Sequence, residues 1–166
     1  MATRAVFTPF AAEMDLTNFP QLQLLTPGTG NIRRPVLSFD AATSEACFWT
    51  SLASQGLTGT LTAVISYVMA SATTGNVVFR VQIEAITDGD ATDLDAASSF
   101  DTANSATVAV PGTAGFIDQA AITLTTNDSL AVADYFRLRL DRDAANASDT
   151  AAGDCHVLAV EFRDAA

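Results

Sequence analysis

The stretch Val77-Val78-Phe79-Arg80-Val81-Gln82-Ile83-Glu84-Ala85 decides the fold. Val77, Phe79, Val81 and Ile83 fall on one face of a two-residue repeat, and Arg80, Gln82 and Glu84 fall on the other. That period belongs to an antiparallel strand with one buried face and one wet face. The same pattern recurs on both sides of it. Leu61, Ala63, Ile65, Tyr67 and Met69 share one face of 61–69, with Thr62 and Ser66 opposite. Further on, Phe136, Leu138 and Leu140 alternate with Arg137, Arg139 and Asp141. At the end, Leu158, Val160 and Phe162 alternate with Val157, Ala159 and Glu161.

Turn-forming residues separate the runs: Gln55-Gly56, Thr74-Gly75-Asn76, Asp88-Gly89-Asp90, Pro111-Gly112, Asn127-Asp128 and Gly153-Asp154. Gly75-Asn76 suits a tight hairpin between the two longest runs. Counting between turns gives about eight strands, near 35–39, 46–53, 58–70, 76–87, 104–110, 117–125, 134–142 and 154–163. Thr92–Phe100 mixes Asp with Ala and reads as a loop. The expected class is all-β, an antiparallel eight-stranded jelly-roll sandwich over residues 35–166, with an extended N-terminal arm at 1–34. Its core is expected to hold Phe39, Ile65, Phe79, Val81, Ile83, Ile122, Leu124, Phe136, Leu138, Leu140, Val160 and Phe162.

The arm has a different texture. Val6, Phe7, Phe10, Leu16, Phe19, Leu22, Leu24 and Leu25 follow no clean period, and Pro9, Pro20 and Pro27 interrupt any long element. An apolar segment without a period cannot bury itself, so it either packs on a partner or wraps back over its own sandwich. Arg33 and Arg34 add the one doubled positive charge of the chain. The expectation is a partner-contacting arm built from these ten residues.

Composition removes several classes of function. The chain has 166 residues, 49% of them hydrophobic, and a formal net charge of −11. All eight basic residues are arginines. Such a chain repels phosphate, which argues against nucleic acid as a partner. No apolar run approaches the roughly 20 residues of a spanning helix, so no membrane partner is expected. The first residues lack the basic region and apolar stretch of a signal peptide, which points to the cytoplasm of the producing cell. Cys47 and Cys155 have no metal-ligand spacing and read as small buried hydrophobes, with a cross-sheet disulfide as the alternative.

Catalytic chemistry finds little to stand on. His156, the sole histidine, adjoins Cys155 in a strand, where neighbours point to opposite faces and cannot form a nucleophile–base pair. No nucleophile elbow, zinc-protease or phosphate-loop motif occurs, and no enzyme is expected. No cofactor is expected either. Calcium is the one metal alternative, at Asp88, Asp90, Asp93 and Asp95, and Asp141, Asp143, Asn146, Asp149 and Asp154 crowd a second loop. Turn-making and a solvated surface explain the same residues. Arg137, Arg139 and Arg142 beside Asp141 and Asp143 alternate along a strand edge, paired with acidic loops or a neighbouring subunit, or simply on a solvated strand face. Trp49, Tyr67 and Tyr135 are the candidate sugar platforms, with core packing as the alternative for each.

Three segments carry a resemblance. They are Ser38-Phe39-Asp40-Ala41-Ala42-Thr43-Ser44-Glu45, then Ser71-Ala72-Thr73-Thr74-Gly75-Asn76-Val77-Val78-Phe79-Arg80, and Phe136-Arg137-Leu138-Arg139-Leu140-Asp141-Arg142-Asp143 followed by Gly153-Asp154-Cys155. In this order they resemble jelly-roll proteins of tailed bacteriophages, including head decoration (cementing) proteins. The resemblance implies a structural virion protein that binds and stabilises the outer shell. Its partners would be the major capsid protein and itself, as a homotrimer. Its place would be the capsid surface, and the host cytoplasm during assembly. Similar domains occur in phage fibres and tails, so a glycan- or receptor-binding jelly-roll module is the alternative.

Overall fold

Two antiparallel sheets lie face to face and bury their apolar sides against each other. A computed structural model describes residues 1–26, 32–95 and 98–165. Along the chain come β1 (Ala2–Phe7), a 3-10 turn (Pro9–Ala11), β2 (Glu13–Met14), β3 (Gln21–Leu25), β4 (Arg34–Phe39), β5 (Glu45–Leu52) and β6 (Leu61–Met69). Then follow β7 (Asn76–Ile86), β8 (Asn104–Ala109), β9 (Asp118–Leu124), β10 (Tyr135–Arg142) and β11 (Cys155–Asp164). The six-stranded sheet has the order β3-β4-β11-β6-β9, with β1 also on β11; the five-stranded sheet has the order β2-β5-β10-β7-β8. From β4 to β11 the chain mostly changes sheet at each connection, which is jelly-roll topology.

The expected count of eight strands is corrected to eleven among the described residues. The eight expected runs are β4 to β11, and residues 2–25 supply the other three. β1 lies on the last strand, β2 on β5 and β3 on β4. Periodicity fails in that segment because β2 has two residues and β3 is exposed along most of its length. Phe7 nevertheless enters the core, its ring stacked 5.8 Å from Trp49 and edge-on to Phe136 at 6.3 Å. The Trp49 indole N–H donates to the Thr8 carbonyl at 3.0 Å. Burying a ring of this size contributes roughly 1.5–3 kcal/mol.

Every residue of the expected core list is buried. Two local expectations are corrected. Gly75-Asn76 does not join a hairpin, because β6 and β7 belong to different sheets. Gly75 has φ +93°, and a Cβ there would stand 2.8 Å from the Thr150 carbonyl, so the glycine admits the long loop before β11. In β11 the register slips between Val157 and Ala159, and the bulge changes the phase of the alternation. Val157, Val160 and Phe162 therefore face inward together, while Leu158 lines an outer cleft with Val68.

Arg142 pairs with the acidic loop, as one expected reading has it, but in the interior rather than on a strand edge. It is fully buried and donates to Asp149 and to the carbonyls of Ala151 and Gly153. Asp149 in turn accepts from the Val78 amide at 2.9 Å. The long β10–β11 loop is thus fastened from inside.

Candidate functional site

The outward side chains of β5, β10 and β7 stand in four cross-strand rows. They are Leu52–Tyr135–Ile86, Thr50–Arg137–Glu84, Phe48–Arg139–Gln82 and Ala46–Asp141–Arg80. Rows two residues apart are spaced about 7 Å, so the ladder extends for about 20 Å. β10 lies between β5 and β7, which puts its arginines at the middle of a face.

Arginine and aromatic carbon interleave there. The Arg137 guanidinium lies 5.1 Å from the Phe48 ring centre and 5.4 Å from that of Phe100, and the two rings are 5.6 Å apart. Arg139 approaches Phe48 to 6.0 Å. Phe100 reaches this position because Ser99 and Asp101 tie its segment to β7. The Ser99 amide donates to Glu84 Oε1 at 2.6 Å, and Gln82 Nε2 donates to the Asp101 carbonyl at 2.8 Å.

Ion pairs and one arginine–amide hydrogen bond run along the ladder. Arg137 Nη1 donates to Glu84 Oε2 at 3.3 Å, Arg139 Nη1 to Gln82 Oε1 at 3.0 Å, and Arg80 Nε to Asp141 Oδ1 at 2.6 Å. Arg80 Nη1 also meets Asp143 Oδ2 at 3.1 Å. Two buried atoms of the ladder, Arg139 Nε and Asp141 Oδ2, have no hydrogen-bond partner among the described residues. Burial pushes the Asp141 carboxyl above the usual carboxylate range, against the opposing pull of its hydrogen bond from Arg80. Asp141 Oδ2 still lies 3.8 Å from Arg139 Nη2, an ion pair without a hydrogen bond.

At the far end of the ladder Leu52, Ile86 and Tyr135 floor a cleft of about 370 Å³, with Asp88 and Asp90 on its wall. Asp88, Asp90, Asp93 and Asp95 are all exposed. Asp90 accepts from the Thr87 amide and Asp93 from the Asp95 amide, each at 3.0 Å. Among the described residues no three carboxylate, imidazole or thiolate side chains gather as metal ligands.

The other sequence candidates divide between core and surface. Trp49 and Tyr67 are buried in the core, while Tyr135 is half-buried on the ladder. Cys155 faces the core, His156 adjoins it on the other side of β11, and both cysteines are free. Of the ten arm residues Phe7 is buried, and Phe19 and Leu25 are half-buried. Val6, Phe10, Leu16, Leu22, Leu24, Arg33 and Arg34 are exposed. Sequence reasoning missed Phe48 and Phe100. Phe48 had a usable signal, since Cys47-Phe48-Trp49 must send one ring outward if the other goes in. Phe100 had none, being in a loop.

No protein-family model matches the sequence. The comparison with curated proteins also finds no match. Solved structures do share the fold. The chain is similar to a family 35 carbohydrate-binding module from Clostridium thermocellum, at 12% identity and a TM-score of 0.56, covering 99% of this chain and 100% of that one. It is similar to a family 28 module described as specific for non-crystalline cellulose, at 10% identity and a TM-score of 0.53, covering 93% and 89%. A family 35 module from an environmental isolate matches at 12% identity and a TM-score of 0.51, covering 98% of each chain. The likeness is one of fold: an all-β sandwich of jelly-roll type.

Proposed function

We propose that this protein is a non-catalytic carbohydrate-binding jelly roll whose ligand lies along the outer ladder of the five-stranded sheet. The observation that carries the reading is the pair of half-buried rings, Phe48 and Phe100, interleaved with the part-exposed Arg137 and Arg139 guanidiniums on the outer face of the sheet. A sugar offers an apolar C–H face and, at its rim, hydroxyls that donate and accept at once. The rings take the first; the Arg137 and Arg139 guanidiniums, 26% and 30% exposed, donate to hydroxyls, directly or through a bridging water. The strands hold these groups in fixed register, so little ordering cost falls on the protein. Similarity of fold to carbohydrate-binding modules supports the same reading.

Affinity electrophoresis through gels of soluble xylan and hydroxyethylcellulose, followed by calorimetry on the retarding polymer, tests it. Retardation by at least one polymer is expected, with Phe48→Ala and Arg139→Gln each weakening it about tenfold. Free migration in both gels, or wild-type retardation of both variants, would overturn the reading.

A second reading keeps the protein on a virion surface, as a decoration protein bound to the major capsid protein in a homotrimer. It is favoured by the exposed apolar side chains of Val6, Phe10 and Leu16 on the N-terminal segment, together with the phage-protein motifs. Removing residues 1–30 would take away β1 and the buried Phe7, so point changes are the cleaner test. Phe10→Ser with Leu16→Ser should keep the melting temperature and lose particle binding. Full binding by that variant would dismiss this reading.

A further inference from the structure

We propose that β3 is a docking edge for an extended, acidic segment of a partner protein, which adds to the six-stranded sheet as a further strand. β3 stands at the margin of the sheet and pairs only with β4 among the described residues. Its sequence, Gln21-Leu22-Gln23-Leu24-Leu25, contains no charge, no proline and no bulge, the devices that usually keep a sheet edge from accepting another strand. Alternate N–H and C=O groups of such an edge point outward and are available to a new strand.

The side chains also await a neighbour. Leu22 stands opposite Leu37, which is fully buried, yet Leu22 itself is 47% exposed, as is Leu24 two residues on. The apolar layer of the sandwich therefore runs out to an uncovered margin. On the other side of β3, Leu25 lines an apolar cleft of about 440 Å³ with Val68, Ile117 and Leu158, and Arg34 at its rim.

Charge selects the occupant. Six of the eight arginines form ion pairs, and Arg33 and Arg34 form none among the described residues. Arg34 faces Leu25 at the C-terminal end of β3. A strand laid antiparallel to β3 would bring its N-terminal end beside these two cations, so carboxylates there are favoured. A second copy of β3 has no carboxylate to offer. This edge belongs to the opposite sheet from the ladder, so the proposal stands whether or not the ladder binds sugar.

Fluorescence anisotropy with two labelled synthetic peptides tests it. Both alternate valine and threonine; one is led by two glutamates and the other by two lysines. Saturable binding of the glutamate-led peptide is expected, about tenfold or more tighter than its lysine counterpart. Arg33→Glu with Arg34→Glu should erase that preference. Leu22→Lys should weaken both peptides, with melting temperatures unchanged in all variants. Equal binding of the two peptides, or no saturable binding of the glutamate-led one, would overturn the proposal. So would sedimentation showing a protein dimer that Leu22→Lys dissociates, because the occupant would then be a second copy.

Discussion

Arg142 and Asp149 form a two-point ion pair in the interior, Nη2 to Oδ1 at 2.8 Å and Nε to Oδ2 at 3.1 Å, with side chains 0% and 1% exposed. The remaining Arg142 hydrogen bonds go to the carbonyls of Ala151 and Gly153. A planar fork that satisfies carboxylate and backbone together is something lysine cannot copy.

Breaking that pair from one side strands a charge. Asp149→Ala should lower the unfolding free energy by about 3–5 kcal/mol in denaturant titrations. Arg163→Ala, which removes a half-exposed pair with Glu161, should cost about 1 kcal/mol or less. Equal costs would mean that the loop is not held through Arg142.

Two glycines with nearly the same backbone angle should respond differently to alanine. Gly89 has φ +94° and open space around it, so Gly89→Ala should cost about 1–2 kcal/mol for the left-handed backbone alone. Gly75→Ala carries that cost and also drives its Cβ against the Thr150 carbonyl, so it should be the more damaging by thermal melting.

Phe7→Ala should cost about 3–5 kcal/mol, as for other buried rings, while Phe10→Ala, three residues away and exposed, should stay within about 0.5 kcal/mol. The pair of melting curves separates the inserted ring from its exposed neighbour.

The pH dependence follows His156. Burial holds its imidazole below the ordinary value of 6.5, although Asp154 pulls the other way. In the window from 6.5 down to the lower folded value, the unfolded chain binds the proton and the folded chain resists it. The contribution of His156 is therefore fully present above pH 6.5 and falls as the pH drops through that window. His156→Gln should flatten this part of the stability profile, measured against the wild type at matched ionic strength.

Eight strands and their core were legible because a half-buried strand must alternate, as Phe79, Val81 and Ile83 do against Arg80, Gln82 and Glu84. The same rule misplaced Leu158, since one extra residue in β11 inverts the phase without leaving a mark in composition. It was silent on β1 to β3, whose partners are set by strands far along the chain rather than by local pattern. The ladder was half legible. Alternation put Arg137 and Arg139 on one face with Asp141, but not in the middle of a sheet, because strand order depends on topology. Phe100 joins the ladder through the Ser99–Glu84 and Gln82–Asp101 hydrogen bonds, which no spacing rule anticipates.

The pairing of β1 with β11 has a consequence for biosynthesis. Two strands of the sandwich more than 140 residues apart are partners: Ala2 lies against Asp164, and Phe7 against Val160. At roughly 5–20 residues per second, the nascent chain carries that strand unpaired for on the order of ten seconds. Through that interval Phe7 lacks Val160, the residue it faces across the sheet. The six-stranded sheet therefore cannot close around β1 until β11 has been made.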